Sequence, residues 1–90
     1  MTEAEKARQV LLALKSAESA APEKALTILN GLMGLVRSEA DGQPLEVDEA
    51  RSGAFLSVCE VGKALHRNQP VGSLWAAAIT ATERWMALAK

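Results

Sequence analysis

Apolar positions recur every three to four residues along four stretches of the chain, with turn-forming residues between them. That spacing puts apolar side chains on one face of an α-helix. In the first stretch, about residues 3 to 19, Ala4, Ala7, Val10, Leu11, Leu14 and Ala17 share a face. Thr2 and Glu5 stand at its start with capping-box spacing, in which a hydroxyl and a carboxylate satisfy amides that lack a helical partner. Leu12 falls outside the apolar face. At about 100° per residue it lies among Glu5, Arg8, Ser16 and Ser19.

Pro22 opens a second stretch, at a position where its missing amide costs nothing. Leu26, Ile28, Leu29, Leu32, Met33, Leu35 and Val36 occupy one half of this wheel. Glu23, Lys24, Thr27, Asn30, Gly31, Gly34, Arg37 and Ser38 occupy the other. Each glycine costs a helix about 1 kcal/mol relative to alanine. Gly31 and Gly34 therefore either admit the backbone of a second helix or are simply tolerated.

Residues 39–49 read as the longest break, marked by Asp41-Gly42 and Pro44. Five acids and no base lie within it, which implies a solvated acidic loop. A calcium loop would need oxygen ligands at fixed alternating positions, and these do not match. Asp48 is then the expected N-cap of a third helix reaching Arg67, with Ala50, Ala54, Phe55, Val58, Val61 and Leu65 inward. Gly53 and Gly62 flank a run from Ala54 to Val61 that also fits a buried strand, so helix and strand both stay open there. Leu56 is misplaced like Leu12, lying among Ser52, Glu60, Lys63 and Arg67.

Asn68, Pro70 and Gly72 form the last turn, and Ser73 is the expected cap of a fourth helix. Trp75, Ala78, Ile79, Thr82, Trp85, Met86 and Ala89 make its stripe, widened by Leu74, Ala77, Ala81 and Leu88. The arc covers about 200°, twice what a surface helix needs. Such a helix is either central in a bundle or also covered by another chain.

Composition agrees with helices. Of the 49% of residues that are hydrophobic, 17 are Ala and 12 are Leu, whereas aromatics are only 3%. Strands favour the β-branched and aromatic types that are scarce here. The fold class expected is all-α: one domain over residues 1–90, an antiparallel bundle of about four helices associating as a dimer.

Charge removes several functions. Ten basic against eleven acidic residues leave −1, without the surplus that phosphate binding draws on. A helix-turn-helix read through 68–73 would present Leu74, Trp75 and three alanines to DNA, which cannot read base edges. A nucleic-acid regulator would need basic residues from several helices gathered on one face, and Arg37, Arg51, Lys63 and Arg67 are the candidates. Nucleic acid is not expected as a partner, and no membrane association is expected. Thr2, Glu3 and Glu5 carry the wrong charge for the start of a signal peptide, and a cytoplasmic location is the expectation.

Chemistry is sparse. Cys59 and His66 share one edge of the third helix, but their Cα atoms would stand about 10 Å apart along its axis. That is too far for a nucleophile and its base. With one cysteine and one histidine, no metal set is expected, and no cofactor either. No catalytic residues can be named. The acids read as lying on helix exteriors or in the 39–49 loop, with nothing converging.

The expected function is that of a non-enzymatic helical protein-interaction module, an adaptor, inhibitor or regulatory subunit, working as a homodimer or on another protein. Leu12, Gly31, Gly34 and Leu56 are its candidate surface. The alternative is a small-molecule-binding or catalytic protein, with a pocket between helices lined by Trp75, Trp85, Met33 and Met86 and with Cys59 or His66 at its rim.

Overall fold

The computed structural model describes residues 2–37 and 42–89. These form four helices: α1 (Glu3–Glu18), α2 (Pro22–Arg37), α3 (Leu45–His66) and α4 (Gly72–Leu88). Helices adjacent in sequence pack side by side, and α4 closes the ring against α1. The beginning of α3 lies beside the end of α4, the start of α1 meets the end of α4 through Glu3 and Trp85, and the end of α3 lies beside the middle of α2. α4 therefore runs antiparallel to both α1 and α3. α1 and α3 stand diagonally across the core, as do α2 and α4.

The stretch from Ala54 to Val61 is helix. Ala54, Val58, Val61 and Leu65 repeat at helical spacing and are all buried. With Ala7, Val10, Leu14, Ala17, Leu29, Leu32, Val36 and both tryptophans they make one continuous core. Fully burying each of the larger side chains contributes about 1.5–3 kcal/mol, which is what holds four otherwise marginal helices.

Two start signals differ from the sequence reading. Asp48 does not cap α3: the helix begins at Leu45, and the amides of Val47 and Asp48 both donate to the Pro44 carbonyl. The expected acidic loop over 39–49 thus ends early. Glu46, Asp48 and Glu49 belong to the opening turns of α3, where negative charge complements the helix dipole. Glu39 and Asp41 lie outside the described residues. Ser73 likewise sits inside the first turn of α4, which starts at Gly72 behind Val71 with no side-chain cap.

Other boundaries follow their local chemistry. Thr2 Oγ1 accepts from the Glu5 amide at 3.1 Å and donates to the Glu5 carboxylate. At the far end of α3, Asn68 takes the left-handed conformation (φ 55°), the Gln69 amide reaches back to Ala64 O at 2.8 Å, and the Asn68 amide to Leu65 O at 3.3 Å. This paired closure normally uses glycine; here asparagine serves. Among the described residues, no helix is long and apolar enough to cross a membrane.

Most of the wide apolar arc of α4 is covered within the bundle, Ala77 alone of its expected positions being exposed. Trp75, Ala78, Thr82 and Trp85 are buried, and Leu74, Ile79, Ala81, Met86, Leu88 and Ala89 are half-buried against α1 and α3. Thr82 returns its hydroxyl to Ala78 O at 2.8 Å, so a polar side chain sits in the core without an unmet donor.

Candidate functional site

Three features could carry function: a buried polar cluster, a groove between α2 and α3, and the outward face of α3.

The cluster is built by charged residues at apolar-stripe positions. Glu3 precedes Ala7, Val10 and Leu14 on the buried side of α1, and Arg51 lies between Val47 and Ala54 on that of α3. Glu3 is only 4% exposed. Its Oε2 accepts from Arg51 Nη1 at 2.9 Å and from Trp85 Nε1 at 3.1 Å, and its Oε1 from Lys6 Nζ at 3.0 Å. Arg51 Nη2 donates to Asp48 Oδ1 at 2.8 Å. Burial alone would push the Glu3 carboxyl up. The three donors and the Arg51 charge outweigh it, and the carboxyl ends below its ordinary value. Burial opposes the Arg51 charge too, and its two carboxylate partners overcome that, raising its value.

The acids therefore do converge, contrary to the sequence reading: Glu3 and Asp48 meet at Arg51. Arg51 is also removed from any basic face, since it is spent on these pairs. Among the described residues, no buried side-chain nitrogen or oxygen lacks a partner. The cluster works as a pin joining α1, α3 and α4.

The groove between α2 and α3 encloses about 460 Å³. Leu26, Leu29, Met33, Val58 and Gly62 form its apolar walls, and Asn30, Cys59, Lys63 and His66 edge it. Met33, Cys59 and His66 are thus brought together. Trp75 and Trp85 are elsewhere, buried in the core, and Met86 packs half-buried against it. A second hollow of about 340 Å³ lies between the start of α3 and the end of α4, edged by Glu46, Glu49 and Arg84. No group of three or more potential metal ligands occurs among the described residues.

The candidate surface residues fall on different sides. Leu12 (59% exposed) points outward from α1, and Leu56 (63%) from α3, the helix diagonally opposite. One flat interface cannot cover both. Gly31 and Gly34 are exposed on α2, with nothing within 4 Å of where a Cβ would stand. Sequence reading missed Leu45, which is 71% exposed at the first position of α3. Leu45 and Leu56 are three helical turns apart and share one azimuth on α3. The signal was an apolar residue directly after Pro44, obscured by assigning that segment to a loop. No protein-family model, curated protein or solved structure matches this chain.

Proposed function

We propose that this chain is a non-enzymatic protein-interaction module, acting as a homodimer through the outward face of α3. The observation that carries this reading is the alignment of Leu45 and Leu56, both more than 60% exposed, on one face of the longest helix. Two large apolar side chains on one helical line, three turns apart, form the kind of seam that a second helix covers. The polar cluster is compatible with the same reading: its buried carboxylate and guanidinium are engaged with each other and with Lys6, Trp85 and Asp48.

Sedimentation velocity over a concentration series tests this. A monomer–dimer equilibrium is expected, shifted to monomer by Leu56→Glu and unaffected by Leu12→Glu. A chain that stays monomeric throughout would remove the homodimer.

A second reading rests on the groove. Its volume suits a small apolar ligand, and Met33, Cys59 and His66 would contact it. Chemical-shift changes at Met33 and Val58 on adding an apolar probe such as a short-chain alcohol would favour it. Silence there at millimolar probe would exclude it.

A further inference from the structure

The outward face of α3 carries more than two leucines. Leu56 stands at the middle of this 22-residue helix. Two turns before it on the same face is Glu49, and two turns after it is Lys63. Three turns before it is Leu45, and three turns after it, at the C-cap, is Arg67. All of these side chains are exposed. The face carries Glu49 in its first half and Lys63 and Arg67 in its second, with exposed Glu60 at its edge beside Lys63; about Leu56, Glu49 is the counterpart of Lys63 and Leu45 of Arg67.

A helix with that pattern is complementary to itself when turned end for end. We infer that two copies of this chain pair through antiparallel α3 helices, with the twofold axis passing at Leu56. This inference rests on the interaction-module reading and specifies its partner, surface and register. Leu56 packs on the partner's Leu56 at the axis. Glu49 faces the partner's Lys63, and Lys63 faces the partner's Glu49, so each charge match occurs twice, as an isologous interface requires. Leu45 lies along the aliphatic stem of the partner's Arg67, which covers apolar surface while its guanidinium stays in water. Lys63 also pairs at 3.5 Å with Glu60 of its own helix while remaining exposed, and its ammonium has further donors to offer the partner's Glu49.

Other registers lose this match. Sliding the helices until Leu45 meets the partner's Leu56 sets Glu49 against Ser52 and leaves Lys63 beyond the overlap. A parallel pairing sets Glu49 against Glu49 and Lys63 against Lys63, and like charges repel. Of these arrangements, the antiparallel one about Leu56 alone joins apolar to apolar and acid to base.

The register makes a covalent prediction. Residues on the axis face one another across helices about 8–10 Å apart, which brings their Cα atoms within disulfide range. Cys59 is three residues from the twofold axis, so the two native thiols are offset by about 9 Å along the helices and cannot bond. Leu56→Cys on a Cys59→Ser background should oxidise to a covalent dimer at least about tenfold faster than Leu12→Cys on the same background. The unaltered chain should not cross-link. In a parallel set, Glu49→Lys and Lys63→Glu should each weaken the dimer about five- to tenfold by sedimentation, and the two together should restore it to within about twofold. Far-UV circular dichroism confirms that each variant is folded.

A dimer that forms normally while Leu56→Cys cross-links no faster than Leu12→Cys would place another face at the contact. That would overturn this register and leave the interaction module standing. Charge reversals that add rather than cancel would overturn it equally. A chain monomeric up to about 0.5 mM, a concentration that would reveal even weak association, would overturn both.

Discussion

Glu3 and Trp85 are joined by a hydrogen bond of 3.1 Å, carboxylate to indole, although 82 positions separate them in sequence. The same carboxylate oxygen binds Arg51, so the start of α1, the early turns of α3 and the end of α4 meet at one atom. Buried ion pairs add little net stability compared with well-packed apolar residues, but losing one partner is costly because the other charge stays buried.

Glu3→Leu should therefore destabilise the bundle by about 3 kcal/mol or more, leaving the Arg51 guanidinium and the Trp85 indole short of an acceptor. Combining Glu3→Leu with Arg51→Met should cost much less than the two single changes added together. Urea midpoints of the four proteins decide this, and strict additivity would refute the coupling.

The lowered Glu3 value ties this contact to pH. A carboxyl whose folded value lies under its ordinary 4.5 binds fewer protons in the folded chain than in the unfolded one. The stabilisation is complete above that ordinary value and is lost as pH falls through the lowered one. Melting temperature should drop on acidification from about pH 6 to about pH 3, and the drop should be smaller in Glu3→Gln, which has no charge to lose. Equal drops in both would assign the acid sensitivity to other carboxylates.

Much of the fold was legible because its helices obey the apolar period. The stripe of α2 needed no tertiary information. The pin was legible in part: Glu3 shares a face with Ala7, Val10 and Leu14, and Arg51 with Val47, Ala54 and Val58, so opposite charges occupied two buried stripes. What hid Glu3 was its place in a helix's first turn, where acids are ordinarily explained by the dipole. The start of α3 was hidden by the run of acids over residues 46–49, whose charge fits a solvated loop after Pro44 as well as it fits a helix's first turn. That Leu12 and Leu56 face opposite ways depends on which helices are diagonal, and no single-helix wheel contains that.

At the close of α3, Asn68 holds a left-handed backbone that costs most residues about 1–2 kcal/mol and glycine nothing. Asn68→Gly should leave stability unchanged or raise it by up to about 1 kcal/mol, while Asn68→Val should lower it by at least about 1 kcal/mol. Thermal denaturation of both variants measures the pair, and a destabilised glycine variant would mean that the asparagine side chain itself matters.

Gly31 and Gly34 have open space where a methyl group would stand. Gly31→Ala and Gly34→Ala should each stabilise α2 by about 0.5–1 kcal/mol, and the doubly substituted chain should dimerise as before, because the contact assigned to α3 does not include them. Loss of the dimer would instead mean that these glycines admit a partner's backbone.

The pin also sets how the bundle can open. One carboxylate oxygen of α1 accepts from side chains on both α3 and α4, so α4 cannot peel away without stripping a donor from a buried charge. Fraying at the start of α1 and at the end of α4 is thereby coupled, and the two ends share one cooperative opening unit.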